Sequence, residues 1–355
     1  MCVGKTCIKY MYFVVLFCLL MCFGVHSQDK RQYQVKTIAF YNLENLFDTI
    51  NDPDTFDDDR TPAGKDKWTA IRYHNKLRNM ADVLSGISHQ KIHTAPDVIG
   101  VCEVENRTVL EDLVNEPTLR DKNYGIVHFD SPDERGIDVA LLYKKAMFSP
   151  TSFKSHRLLL FKENEFRDYT RDQLVVGGLL DDEEFFFIVN HWPSRSGGEA
   201  RSKPNRMAAA KLNRRIIDSL VRLDANARII SMGDFNDDPI DDSLKKVLKT
   251  VGEIEGVTSD LLFNPMEQLY KKGEGSLAYR DKWNIFDQIF FTGNLLSATK
   301  ETYSFWNVGI FNPSYLVTTS GKYKGYPYRT YAGGNYTGGY SDHFPVYITL
   351  IKLVE

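Results

Sequence analysis

The chain has 355 residues, 43% hydrophobic and 26% charged, with a formal net charge of −3. That balance is ordinary for a globular protein and does not make the chain a general polyanion binder, so any affinity for nucleic acid must come from a local basic patch. The length allows one large domain or two average ones and is enough to bury a sizeable core.

Lys5 and Lys9 precede an apolar run from Met11 to Phe23, and Val25-His26-Ser27 offers small residues at a cleavage spacing before Gln28. The pattern predicts a secretory signal peptide over residues 1–27 and one domain over residues 28–355. The product would be secreted, periplasmic or held at the outer surface. The apolar run is short for a spanning helix, and no later stretch reads as one. Met21 before Cys22 and Phe17 before Cys18 argue against a lipid-modified cysteine. Four of the five cysteines lie in this leader, which leaves Cys102 and no intrachain disulfide.

From Val35 to Asn42 polar and apolar residues alternate, which predicts a strand ending at Asn42. The Asp-rich run from Asp48 to Asp59 lacks the glycine and terminal glutamate of an EF-hand and reads as a solvated loop. A helix begins near Thr69, with Ile71, Leu77, Met80, Ala81, Leu84 and Ile87 at helical spacing and Gly86 near its end. Val98 to Val101 is near-continuously apolar, as in a strand buried on both faces, and it ends in Glu103 and Glu105 on one side. A glutamate at the mouth of a buried strand is costly unless it is paired or metal-bound.

A short helix follows over Thr108 to Val114, then strands over Tyr124 to Phe129 and Gly136 to Tyr143. The strand from Glu184 to Val189 runs into Asn190-His191-Trp192-Pro193-Ser194-Arg195. A long helical pattern extends from about Arg206 to Leu223, with Arg195, Arg201, Lys203 and Arg206 clustered at its start. The strand from Ile229 ends in Gly233-Asp234-Phe235-Asn236, which delivers a carboxylate and a carboxamide two residues apart, hence on one side. Gly233 lets the backbone turn or approach a ligand there, and Pro239 after Asp237 and Asp238 closes the strand. A short helix is expected around Ser243 to Leu248, then a strand from Trp283 to Phe291 carrying Asp287 internally. Tyr303 to Tyr340 is aromatic, Gly-rich and irregular. Ser341-Asp342-His343 leads into a closing strand from Val346 to Ile351. No repeat and no linker divides the chain.

Asn42, Glu103, His191, Asp234, Asn236, Asp287, Asp342 and His343 thus stand at or near strand ends, where rigid elements commonly hold functional groups. Their order and contexts closely resemble the endonuclease/exonuclease/phosphatase superfamily, the deoxyribonuclease-I-like fold, of the secreted bacterial type. The carrying motifs are Asn42, Pro96-Asp97-Val98-Ile99 running to Glu103, Asn190-His191, Gly233-Asp234-Phe235-Asn236, Asp287 and Ser341-Asp342-His343. Cys102 departs from the pattern, since the family commonly has Gln before its metal-binding Glu, and Glu105 offers a second carboxylate.

The resemblance implies an α+β fold, a four-layer αββα sandwich of two packed, mostly antiparallel mixed β-sheets flanked by helices. It also implies divalent-metal-dependent hydrolysis of phosphate esters. Asn42 and Glu103 would hold Mg2+ or Mn2+, with Asp342 supporting the metal or His343. Asp234 would orient or deprotonate the attacking water, and Asn236 would contact the phosphate. His343 would act as acid–base or phosphate ligand, kept in one tautomer by Asp287, and His191 would be a second imidazole on the phosphate. Arg195 and Arg206 would add phosphate contacts. The expected protein is a secreted, monomeric phosphodiesterase or endonuclease acting on DNA. The alternative is a phosphomonoesterase or phospholipase-C-like enzyme on inositol phosphate or sphingolipid head groups, which an exposed aromatic hairpin would favour.

Overall fold

The computed structural model describes residues 31–88, 92–162, 164–258 and 260–354, and the predicted signal peptide lies outside them. Val35–Lys352 form one compact unit. The strands are β1 (Gln32–Leu46), β2 (Val98–Val104), β3 (Tyr124–His128), β4 (Asp138–Lys144), β5 (Phe148–His156) and β6 (Gln173–Leu180). They continue with β7 (Glu183–His191), β8 (Ile229–Asp234), β9 (Thr250–Val251), β10 (Leu262–Phe263), β11 (Asp287–Thr292), β12 (Ser304–Ile310) and β13 (Val346–Val354). One sheet runs β12-β13-β1-β2-β4-β3 and the other β9-β10-β11-β8-β7-β6-β5. The pairs β1–β2, β7–β8 and β9–β10 are parallel, and the other described pairings within these sheets are antiparallel.

Alternation along β1 shows the layering. Ile38 and Phe40 enter a core shared with Phe187, Val189, Ile230 and Met232 of the second sheet. Ala39 and Tyr41 point the other way, into a core with Leu77, Met80 and Leu84 of helix α1 (Ala70–Gly86) and Val109 and Leu113 of α2 (Arg107–Val114). On the far side of the second sheet, Ile188, Ile229 and Phe290 pack against Ala209, Ile216 and Ile217 of α3 (Glu199–Leu223). Each central strand is therefore buried on both faces, and the result is the expected helix, sheet, sheet, helix sandwich.

Several boundaries differ from the sequence reading. β1 does not stop at Asn42. It runs on to Leu46 through a bulge in which Glu44 and Asn45 adopt left-handed φ values of 48° and 56°. Helix α3 begins at Glu199, because Pro204 lies inside the helix instead of ahead of it. The stretch from Trp283 to Phe291 is two strands: Lys282–Asn284 pairs in a hairpin with Leu277–Tyr279, and Asp287 opens β11. β12 gives regular pairing to part of the region read as irregular. Ser243–Leu248 winds as a π-helix, and Ile71 of the α1 stripe is exposed. β5 and β6 carried no clear signal, since one is a largely exposed, polar edge strand and the other contains Gly177-Gly178.

Candidate active site

The residues facing the space between the sheets share one parity along each strand, and each such stripe ends in a polar group. Ile38 and Phe40 lead to Asn42; Phe185, Phe187 and Val189 lead to His191; Ile230 and Met232 lead to Asp234; and Phe291 and Ile289 lead back to Asp287. Register then aligns them. Asp234 is paired with His191 across the parallel neighbour and with Asp287 across the antiparallel one. The candidate site is the rim of the inter-sheet core.

The groups meet closely around one carboxylate. Asn42 Nδ2 donates to Asp234 Oδ2 across the sheets at 3.2 Å. His191 Nε2 lies 3.8 Å from Asp234 Oδ2 and 3.8 Å from Glu103 Oε1. His343 Nε2 lies 4.0 Å from Asp234 Oδ2 and 4.0 Å from Asp342 Oδ1. His343 Nδ1 is 2.7 Å from Asp287 Oδ2, which also accepts from Ser276 Oγ at 2.6 Å. The expected His343–Asp287 pair is therefore present.

Glu103 reaches the site by a route that alternation does not give. Its φ is 58°, and the β1–β2 register shifts at the same place. This left-handed bulge turns the carboxylate toward His191, with Oε2 accepting from Asn45 N–H at 3.0 Å. Glu105 does not share its side. It accepts from Asp48 N–H at 2.6 Å, and burial with the carboxylates of Asp48, Asp57 and Asp52 raises it to about 8, against the Asp48 N–H bond. Of the two glutamates, Glu103 belongs to the site.

Asn236 also has a left-handed φ, 50°, beyond the end of β8. Its N–H donates to Asp234 Oδ1 at 2.9 Å, fixing the carboxylate, while its amide donates to Trp192 O at 3.0 Å. Gly233 serves strand packing: a Cβ there would sit 2.4 Å from Asn190 O on β7. Asn190 faces the helix side, where its Oδ1 accepts from Trp192 Nε1 at 3.2 Å and from Asn213 of α3 at 2.9 Å.

The two arginines expected on phosphate are engaged elsewhere. Arg206 is fully buried, with Nε donating to Asp237 Oδ1 at 2.6 Å and Nη1 to Ser202 Oγ at 2.8 Å. Because α3 starts before Arg201, Arg206 falls on the helix face turned to the protein. Arg195 donates to Asp241 Oδ2 at 2.7 Å and to Asn236 O at 2.8 Å, which pins the loop after β8. Sequence reasoning missed two cations near the rim. Arg171 is buried, bonded to Asp133 and to Trp192 O. Arg329 bridges Glu44 Oε1 at 3.0 Å and Asp342 Oδ2 at 2.8 Å. Glu44, buried beside Lys76, was also missed; its only signal was an acid two residues after Asn42.

The two histidines are driven to opposite states. Burial, reinforced by the charges of Arg171, Arg135 and His343, lowers His191 well below its ordinary value and keeps it neutral. Burial also opposes charge on His343, but Asp287, Asp342 and Asp234 outweigh it and raise the imidazole well above its ordinary value. Burial lifts Asp234 to about 7; the His343 cation opposes this, and Asp287 and Glu103 add to it.

This surplus of buried carboxylate fits a divalent cation. Asp234, Asp287 and His343 present ligand atoms within 4.8 Å of one another, and Asp287 Oδ1 is buried without a hydrogen-bond partner. Asp287 Oδ2 is held by His343 and Ser276, Asn42 Oδ1 accepts from Glu44 N–H at 2.9 Å, and Glu103 Oε2 accepts from Asn45 N–H at 3.0 Å.

A rim of carboxylates, carboxamide and imidazoles at the ends of two packed sheets defines a metal-dependent phosphoesterase of the αββα class. The chain belongs to the endonuclease/exonuclease/phosphatase family, whose model matches residues 37–352. Solved structures give the same fold. A humanized TDP2 from D. rerio is 14% identical, with a TM-score of 0.54 over 89% of this chain and 98% of that one. D. rerio TDP2 complexed with a single-strand DNA product is 14% identical, with a TM-score of 0.52 over 89% of this chain and 99% of that one. A mannosyl-6-phosphatase from Bacteroides thetaiotaomicron is 18% identical, with a TM-score of 0.51 over 90% of this chain and all of that one. A search of curated proteins finds no match.

Proposed function

We propose that the protein hydrolyses a compact or single-stranded phosphate ester, with water activated at Asp234 and Mg2+ or Mn2+ held by Glu103 and Asn42. The observation that carries this reading is the position of Asp234, which has an imidazole or amide of Asn42, His191 and His343 within 4.0 Å. A bound cation would act as a Lewis acid, offsetting the charge that gathers on the phosphoryl and leaving oxygens. Asp234, oriented by the Asn236 N–H, accepts the proton of the attacking water. His343, charged and held by Asp287, turns Nε2 toward the phosphoryl oxygens. Neutral His191 supplies a ring nitrogen on the other side of Asp234.

The expectation of DNA rested on the basic residues around the His191 loop, Arg195 and Arg206 among them, and on the aromatic region from Tyr303 to Tyr340. With both guanidiniums bonded to Asp237 or Asp241, that basic patch is largely neutralised. A second reading, a lipid head group, is favoured by the hairpin of Leu160–Phe161 with Arg167–Asp168. It exposes 62% of Phe161 and 71% of Phe166 beside a cavity of about 670 Å3 that also touches Arg171 and Ser194. Among the described residues no helix is long and apolar enough to cross a membrane. Turnover of single-stranded and duplex DNA, a sugar phosphate, an inositol phosphate and sphingomyelin, each with and without EDTA, separates the readings. The compact-ester reading expects metal-dependent cleavage of single-stranded or small esters. Cleavage of duplex DNA or sphingomyelin alone would overturn it.

A further inference from the structure

A second cavity, of about 390 Å3, opens beside the site, and two of its lining residues, Arg329 and Asp342, belong to the rim. The other walls are aromatic: Tyr279 comes from the Leu277–Tyr279 hairpin, and Tyr323, Tyr326 and Tyr328 come from the loop before β13. The hairpin turn is unusual. Arg280 and Asp281 both have left-handed φ, 51° and 63°, where glycine or asparagine is the ordinary choice. It is held by Tyr326, whose hydroxyl donates to Asp281 Oδ1 and accepts from Asp281 N–H, both at 2.6 Å. The turn lays the Arg280 guanidinium 5.2 Å from the Tyr279 ring centroid, and Lys322 Nζ lies 5.5 Å from that of Tyr323. No carboxylate pairs with either cation among the described residues, in contrast to Arg329, Arg195 and Arg206.

We propose that this cavity is the subsite for the organic group of the phosphate ester, and that it takes one ring bearing a second anionic group. The inference rests on the phosphoester reading above. Tyrosine faces suit the C–H face of a sugar or cyclic polyol and the π face of a nucleobase attached to such a sugar. A space of this volume has room for such a ring with its second anionic group, and the wall supplies two cations that pair with no carboxylate among the described residues, in addition to the groups that meet the scissile phosphate. The shared chemistry is a ring carrying phosphate at two positions, met both in a single-stranded nucleotide and in a polyphosphorylated cyclitol.

The test measures binding by calorimetry in an Asp234→Asn background, which stops hydrolysis, and kcat/KM in the otherwise wild-type chain. The probes are thymidine 3′,5′-bisphosphate, thymidine 5′-monophosphate, an inositol bisphosphate and glycerol phosphate. Tyr323→Ala should weaken binding and kcat/KM for the ring-bearing probes by about tenfold, mainly through KM, and leave glycerol phosphate unchanged. Lys322→Ala should weaken only the bisphosphates, and which of the two suffers more identifies the natural ring. Equal losses for ring-bearing and ringless probes, or none, would overturn the subsite. Binding that responds as expected without any turnover would uphold the subsite and remove the phosphoester reading instead.

Discussion

Asp234 has Asn42, His191 and His343 within 4.0 Å of one carboxylate oxygen, and its burial makes it a base of useful strength. Asp234→Asn keeps the shape and removes the base, so turnover should fall on the order of 10²–10⁴ with the thermal melt preserved. Arg206 is the opposite case. Arg206→Ala leaves the buried Asp237 carboxylate without its main partner and should cost roughly 3–5 kcal/mol in urea unfolding, with KM little changed. A raised KM at unchanged stability would instead return Arg206 to the phosphate. Asp238 is lifted to about 6 by burial, against the Ile285 N–H and the Arg195 charge. Its folded value lies above the unfolded one, so the folded state binds the extra proton between about pH 4 and 6 and stability falls as pH rises through that window. Asp238→Asn should flatten that decline relative to wild type in denaturation curves at pH 4.5 and 6.5.

At the scale of elements, the parallel β7–β8 pair sets His191 and Asp234 side by side. Gly233→Ala would drive a Cβ into Asn190 O, part these strands, and lower both stability and kcat; the melt and the steady-state rate of the same preparation check this. The readable part of the site was what strand alternation delivers: Asn42, His191 and Asp234 each end an apolar stripe, and the run into Asp342-His343 precedes a clear strand. What alternation cannot show was harder to read. Glu103 enters through a left-handed bulge, and Asp287 opens a strand that local pattern fuses with its neighbour. The basic residues were misread for a related reason. A proline and two glycines near position 200 look like a loop, yet the helix forms through the proline and turns Arg206 inward. Glu44, Arg171 and Arg329 depend on contacts between segments far apart in the chain, which no local window contains.

Across the whole molecule, the two sheets bury a common apolar interior and leave their polar stripe ends, Asp234 and Asp287 among them, at one rim. Carboxylates so gathered repel one another in a poorly solvated place, and a divalent ion relieves that repulsion while polarising a phosphate. The most direct measurement is turnover of a phosphate ester by the purified chain during EDTA treatment and Mg2+ or Mn2+ restoration, with Glu103→Gln run in parallel. Turnover should vanish in EDTA and return with the ion, and Glu103→Gln should require a higher ion concentration for the same rate. Undiminished turnover in EDTA would contradict a metal-dependent centre at the rim.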